Sequence, residues 1–285
     1  MKIAIASGKG GTGKTTIATN LAYYLTKKGN KVVYADCDVE EPNGHLFLTP
    51  NWEEIFQVNV KNPVVDDAKC DYCMECAKIC QFNALAVLID KVLLFPSLCH
   101  GCGGCYHICP QKAITEVDRS IGVIKAGTGK GITAYEGRLN IGEAISPPVI
   151  KRLKELLKPA DYTIIDSPPG TSCPVIEAVS NCDYVILVTE PTPFGLNDLE
   201  LAVNMVQTLN LPFGVIVNRH GVGDERIHTY CKARGINILL EIPNSLEIAK
   251  TCSKGNLLID NFPQYSDYFE SLMQNIPHPL KATGT

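Results

Sequence analysis

The amino-acid sequence predicts an α/β protein. A parallel-sheet domain formed by residues 1–59 and 119–285 is split by a small α+β insertion over 60–118. Three observations carry that prediction. The first fifty residues read as strand, glycine-rich loop, helix and strand. Strand–helix alternation resumes in the second half of the chain. Between the two lie eight of the 13 cysteines, in the quartets Cys70/Cys73/Cys76/Cys80 and Cys99/Cys102/Cys105/Cys109, each member 29 residues beyond its counterpart.

Taken in order, residues 3–6 (Ile-Ala-Ile-Ala) are a short apolar run of the kind buried in a parallel sheet. Residues 15–28 carry Ile17, Leu21 and Leu25 at helical spacing, and Gly29 stops the helix. Residues 32–35 form the next strand and end on Asp36, so the chain opens with a βαβ unit of parallel strands and right-handed crossover. The insertion enters after this strand or a neighbouring one. Residues 119–148 return to the main domain by a course that the pattern does not fix. Beyond them the pattern gives a helix over 149–157, strands over 162–166 and 184–189, a helix over 196–209, and strands over 213–218 and 236–240. These suit one parallel sheet with helices on both faces. The tail from Pro277 is expected to fray.

Composition narrows the function classes. A net charge of −4 with mixed signs leaves no electrostatic footprint for nucleic acid. No apolar run approaches the roughly 18 residues that span a bilayer, and the first strand runs straight into the glycine loop, unlike a signal peptide. The expectation is a cytoplasmic protein without a membrane or nucleic-acid partner. In that setting, cysteines clustered at metal-ligand spacing point to metal ligation rather than disulfides.

The loop Gly8-Lys9-Gly10-Gly11-Thr12-Gly13-Lys14-Thr15-Thr16 has the Walker A spacing after a strand and before a helix. Its glycines let backbone N–H groups close around phosphate oxygens at a helix N-terminus, where negative charge is favoured. Lys14 is expected to reach the β- and γ-phosphates, Thr15 to ligate Mg²⁺ and Thr16 to bond the α-phosphate. Asp166-Ser167-Pro168-Pro169-Gly170 follows an apolar strand as a switch element does. Asp166 is positioned to hold Mg²⁺ through water, and the Gly170 N–H to reach the γ-phosphate. Asp36 and Asp38 end the second strand with both carboxylates at the loop edge. Gly127-Thr128-Gly129-Lys130 imitates a second phosphate loop, but Ile124 occupies the upstream glycine position and Gly131 replaces the hydroxyl, so it is read as a turn.

These residues resemble the deviant Walker A ATPases, the MinD/ParA/Mrp group of SIMIBI-type P-loop NTPases to which the nitrogenase iron protein also belongs. The resemblance covers the chain outside the insertion. It implies ATP/ADP binding with Mg²⁺, an ATP-dependent homodimer, and a signature lysine, Lys9, that reaches the partner's nucleotide. It further implies that Asp38 orients the attacking water, that Asp36 supports Mg²⁺, and that Asn218 and Pro243 border the adenine. Cys173 lies at the offset from Asp166 at which the nitrogenase iron protein ligates a cluster; packing is the competing reading. Cys37, Cys182, Cys231 and Cys252 read as packing residues.

The quartet spacing Cys-x2-Cys-x2-Cys-x3-Cys resembles bacterial ferredoxins, in which the fourth cysteine of each run ligates the other [4Fe–4S] cluster. That resemblance assigns Cys70, Cys73, Cys76 and Cys109 to one cluster and Cys80, Cys99, Cys102 and Cys105 to the second. Zinc also accepts paired Cys-x2-Cys, but the third and fourth cysteines fit it poorly. Pro110 follows Cys109 as the pattern expects, whereas Gln81 follows Cys80. The combined expectation is an ATPase that couples turnover to electron transfer toward a protein partner. The alternatives are an iron–sulfur or metal-centre assembly factor, and a spatial regulator whose clusters are structural.

Overall fold

The computed structural model describes residues 1–277; the tail expected to fray begins at Pro277, and the rest of it lies outside the described residues. The chain passes through β1 (Lys2–Ala6), α1 (Lys14–Lys27), β2 (Val32–Asp36), the short α2 (His45–Leu48) and the long β3 (Asn51–Val65). An excursion follows, with α3 (Glu75–Ile79), β4 (Leu85–Val87), β5 (Val92–Leu94) and α4 (Gly104–Ile108). It returns through the long β6 (Ile114–Gly129) and β7 (Ile132–Leu139). Alternation then holds: α5 (Pro147–Leu156), β8 (Tyr162–Asp166), α6 (Cys173–Val179), β9 (Tyr184–Thr189), α7 (Pro193–Thr208), β10 (Phe213–His220), α8 (Arg226–Arg234) and β11 (Ile238–Pro243). The chain closes on α9 (Leu246–Ser253), α10 (Leu258–Asn261) and α11 (Tyr265–Asn275).

One sheet of order β11-β10-β9-β1-β8-β2-β7-β6-β3 organises the fold. Its first seven strands are parallel, and β6 and β3 are added antiparallel. The central strands are buried on both faces, which is why they read as continuous apolar runs: Ile3, Ala4, Val33, Ile164, Ile165, Val185 and Ile186 are wholly inaccessible. On one face, Ile17 and Leu21 of α1 pack with Phe269 and Leu272 of α11. On the other, Val149 and Leu153 of α5 pack with Val175 of α6, Val203 of α7 and Ile227 of α8. Among the described residues, no helix is long and apolar enough to cross a membrane.

The segment whose course the sequence pattern left open is the β6–β7 hairpin. Its two-residue turn, Lys130-Gly131, has φ of 50° and 80°, as a type I′ turn requires; of the apparent second phosphate loop, residues 127–129 are the end of β6 and only Lys130 is in the turn. The expected insertion limits at 60 and 118 fall inside two long strands. The β3–β6 ladder runs from Asn51↔Thr128 through Val65↔Ile114, so residues 60–65 and 114–118 are strand and the excursion proper is 66–113.

The ladder also orients that excursion. Strand β6 pairs with β7 only from Gly122↔Leu139 to Gly129↔Ile132, so its first eight residues leave the sheet with their β3 partners as a two-stranded arm. The arm departs where β7 ends, and β7 is parallel to β2, whose last residue Asp36 pairs with Glu136. It therefore rises from the edge of the sheet that carries the glycine loop, by about 25 Å at strand spacing. Arg119 braces its base through an ion pair to Glu143 and a 3.3 Å hydrogen bond to the buried Asn62.

The 29-residue offset recurs in three dimensions. Helices α3 and α4 are its two copies, and left-handed backbone occurs at the matching positions Tyr72/Gly101, Met74/Gly103 and Asn83/Lys112. The N–H groups of Ala84 and Ala113 donate to Cys80 Sγ and Cys109 Sγ, both at 3.3 Å.

Candidate functional site

The loop between β1 and α1 sits where parallel strands end, the location at which open α/β sheets bind ligands. Gly11 and Gly13 take φ of 78° and 95°, and Gly13 caps α1. A Cβ on Gly13 would lie 2.4 Å from Asn218 Nδ2, and one on Gly8 2.1 Å from the Asp198 carbonyl, so close backbone approach explains both glycines. Gly10 has open space around it. Lys14 is buried, and burial lowers its pKa against the opposing charges of Asp166, Asp38 and Asp36. Thr12 Oγ1 and Ser167 Oγ are buried without hydrogen-bond partners among the described residues, an unmet polar demand at this edge.

The carboxylates converge here. Asp36 and Asp166 are direct partners on β2 and β8, both almost fully buried. The Asn43 and Gly44 N–H groups donate to Asp36 Oδ2 at 3.0 and 2.8 Å, and Tyr34 donates to Asp166 Oδ2 at 2.9 Å. Burial, reinforced by the Asp166 charge, raises Asp36 well above the usual carboxylate range. Burial also lifts Asp166 to about 6, against Thr15, Lys14 and Tyr34, which pull it down. Asp38 is raised by burial and held down by Lys14. Two buried carboxylates beside a Thr15 hydroxyl are an all-oxygen donor set suited to a hard divalent cation such as Mg²⁺.

Other predicted residues are engaged within the chain. The Gly170 N–H donates to the Ser7 carbonyl at 3.0 Å and so faces away from any phosphate in this state. Lys9 Nζ lies 3.3 Å from Glu190 Oε2, and Arg219 holds the other Glu190 oxygen at 2.8 Å. Asn218 donates to the Thr12 carbonyl at 2.7 Å, and Arg219 to the Gly11 carbonyl at 3.4 Å. Asn218 and Pro243 meet beside Gly13 and Thr16 in a pocket of about 110 Å³ completed by Ile17, Ile242 and Ile248. Sequence reading missed Glu190, Arg219 and Tyr34. Glu190 carried one available signal, an acidic residue at the end of an otherwise apolar strand.

At the tip of the arm two cavities separate the cysteines. Cys70, Cys73, Cys76 and Cys109 line one, and Cys80, Cys99, Cys102 and Cys105 line the other. All eight are free thiols. Burial raises Cys76 and lifts Cys105 to about 11, so these thiols become thiolates most readily with a metal to neutralise them. Cys173 is exposed at the start of α6, while Cys37, Cys182 and Cys231 are buried as packing residues.

The CobQ/CobB/MinD/ParA nucleotide binding domain matches residues 3–259. The chain is 32% identical over 272 residues to the Methanocaldococcus jannaschii protein MJ0579, covering 94% of this chain and 93% of that one. It is 28% identical to an iron–sulfur cluster carrier protein of Pyrococcus horikoshii, over 76% of this chain and 60% of the relative. The solved MinD of Pyrococcus horikoshii with Mg-ADP superposes at a TM-score of 0.58 and 22% identity, covering 95% of this chain and 93% of that one, a likeness of fold.

Proposed function

This chain belongs to the CobQ/CobB/MinD/ParA nucleotide-binding family, and we propose that it is an ATP-hydrolysing, ATP-dependent homodimer that couples turnover to electron transfer through two [4Fe–4S] clusters toward a protein partner. The observation that carries the reading is a shared edge: the glycine loop and the arm bearing both cysteine-lined cavities leave the same side of one sheet. A dimer closing over the nucleotide would meet the arm as well as the switches.

In this reading the backbone of residues 8–13 and Lys14 bind the phosphates. Thr15, Asp36 and Asp166 would hold Mg²⁺, whose charge would offset the repulsion between the two buried carboxylates. Asp38 orients the attacking water, Asn218 and Pro243 border the base, and Lys9 leaves Glu190 to reach the partner's phosphates. Gly170 would exchange its bond to Ser7 for one to the γ-phosphate. The cysteines fit iron–sulfur clusters by chemistry: four thiol sulfurs surround each cavity, and an N–H group donates to Cys80 and to Cys109. When bound, such clusters supply one-electron chemistry at potentials set by burial and hydrogen bonds to sulfur.

Relatives named iron–sulfur cluster carrier proteins favour a second reading, cluster assembly. Convergence of a full set of four cysteines on each cavity favours retained clusters instead. A membrane-attached spatial regulator is disfavoured because α11 buries Tyr265, Phe269 and Leu272 against the core. Anaerobic reconstitution tests the proposal and is expected to give about eight irons per chain. Cys70→Ser and Cys109→Ser are expected to damage one spectroscopic signal, and Cys80→Ser and Cys99→Ser the other. Damage that segregates by sequence quartet would refute the crossed ligation. Loss of iron to an apo-acceptor protein would favour the carrier reading over electron transfer.

A further inference from the structure

Beyond the nucleotide edge and the cysteines, three side chains from different elements converge on one point. They are His220 at the end of β10, His228 on α8 and Glu241 on β11, with ligand atoms all within 4.8 Å of one another. His228 Nε2 lies 2.5 Å from Glu241 Oε1, and His220 Nδ1 lies 3.5 Å from Glu241 Oε2. We propose that these residues form a His₂Glu site for a borderline divalent transition metal, Zn²⁺ foremost, separate from the cysteine-lined cavities and from the Mg²⁺ ligands.

Backbone irregularity brings the three together. Along β10 and β11, Val217 pairs with Glu241 but His220 pairs with Pro243, so three residues on one strand advance against two on the other. This bulge gives His220 the parity of Glu241, which regular alternation would deny it. Arg219 takes a left-handed φ of 56° within the bulge, a conformation uncommon for a residue with a Cβ.

His228 has a carboxylate near each ring nitrogen. Its Nδ1 lies 3.0 Å from Glu225 Oε2 without hydrogen-bond geometry, while its Nε2 lies 2.5 Å from Glu241 Oε1. The ring nitrogen directed at Glu241 is thus Nε2, the one placed to share a metal with that carboxylate. With zinc–nitrogen and zinc–oxygen bonds of about 2.0–2.1 Å in a tetrahedron, ligand atoms stand roughly 3.3 Å apart. The 2.5 and 3.5 Å separations to Glu241 bracket that value, and all three ligand atoms lie within 4.8 Å of one another. Two imidazoles and one carboxylate leave a fourth position for water. The mixed nitrogen–oxygen set suits zinc better than the all-oxygen shell of Mg²⁺ or Ca²⁺.

The location gives the site consequence. His220 directly follows Asn218 and Arg219, which bond the Thr12 and Gly11 carbonyls of the glycine loop, and its own carbonyl accepts the Asn244 N–H at 2.9 Å. A metal here would fasten β10, α8 and β11 together beside the pocket that Asn218 and Pro243 border.

The test uses the full chain, saturated with Zn²⁺ and desalted, with metal analysis and zinc-edge X-ray absorption to separate nitrogen from sulfur neighbours. Wild type is expected to retain one zinc with imidazole neighbours beyond whatever the cysteines hold. His220→Ala and His228→Ala should each lose that zinc while keeping nucleotide binding. Equal zinc in wild type and both histidine variants would overturn the site, leaving two histidine–glutamate ion pairs. Should the variants fail to fold, the wild-type spectrum decides, because zinc with only sulfur neighbours overturns the site as well.

Discussion

Replacing Glu190 by Gln is expected to strengthen ATP-dependent dimerisation, because Glu190 holds Lys9 within its own protomer. At the 3.3 Å separation of Lys9 Nζ and Glu190 Oε2, two unit charges attract by about 5 kcal/mol at an effective dielectric of 20. The Lys9 side chain is 33% exposed, so screening and side-chain entropy leave a net tether of about 1 kcal/mol. A symmetric dimer that draws both lysines across the interface breaks two such tethers, about 2 kcal/mol, or roughly thirtyfold in the dimer Kd. Arg219, the other partner of Glu190, is 55% exposed and can be solvated when the carboxylate becomes an amide. The assay is sedimentation equilibrium of wild type and Glu190→Gln saturated with a non-hydrolysable ATP analogue. An unchanged or weaker dimer would refute the tether, and with it the idea that Lys9 must be released before dimerisation.

Lys14→Ala is expected to abolish nucleotide binding. Lys9→Ala is expected to bind ATP yet turn it over about 10³–10⁵-fold more slowly, the range for charge supplied across an interface; equilibrium binding and steady-state phosphate release separate the two. The buried Asp166 makes nucleotide-free protein less stable at neutral pH. Its folded-state pKa of about 6 lies above its ordinary 3.8, so the contribution is full below that lower value and is lost as pH rises through about 6. That is worth about 3 kcal/mol, and Asp166→Asn is expected to remove this part of the pH profile in matched thermal melts between pH 4 and 8. An identical difference between the two proteins at every pH would count against the raised pKa.

Much of this architecture is legible in the residues because certain chemistry tolerates few alternatives. The glycine loop needs its residues at fixed spacing, and the apolar runs of β1, β2, β8 and β9 reflect burial on both faces. The long arm escapes such reading. Strand β3 is exposed at most positions and carries Pro63, which suits its place at the sheet edge but erases the alternation that marks a half-buried strand. Strand β7 is obscured by Glu136, buried at 3% exposure yet paired with His45 at 2.7 Å. The Lys9–Glu190–Arg219 cluster joins residues about 180 and 30 positions apart, a proximity created by the strand order rather than by any local pattern. The convergence of His220, His228 and Glu241 likewise depends on a bulge that residue spacing does not announce.

The central claim is that the nucleotide edge and the cysteine-bearing arm work as one device. Its most direct test is the reduction potential of the reconstituted clusters without nucleotide, with ADP and with a non-hydrolysable ATP analogue. If closure over ATP alters the surroundings of the arm, the potential shifts, and linkage requires oxidised and reduced protein to differ in nucleotide affinity by the same factor. A shift of about 60 mV for one electron, matching about tenfold in affinity, is the predicted scale. Identical potentials in all three states, with equal nucleotide affinity for oxidised and reduced protein, would contradict the coupling.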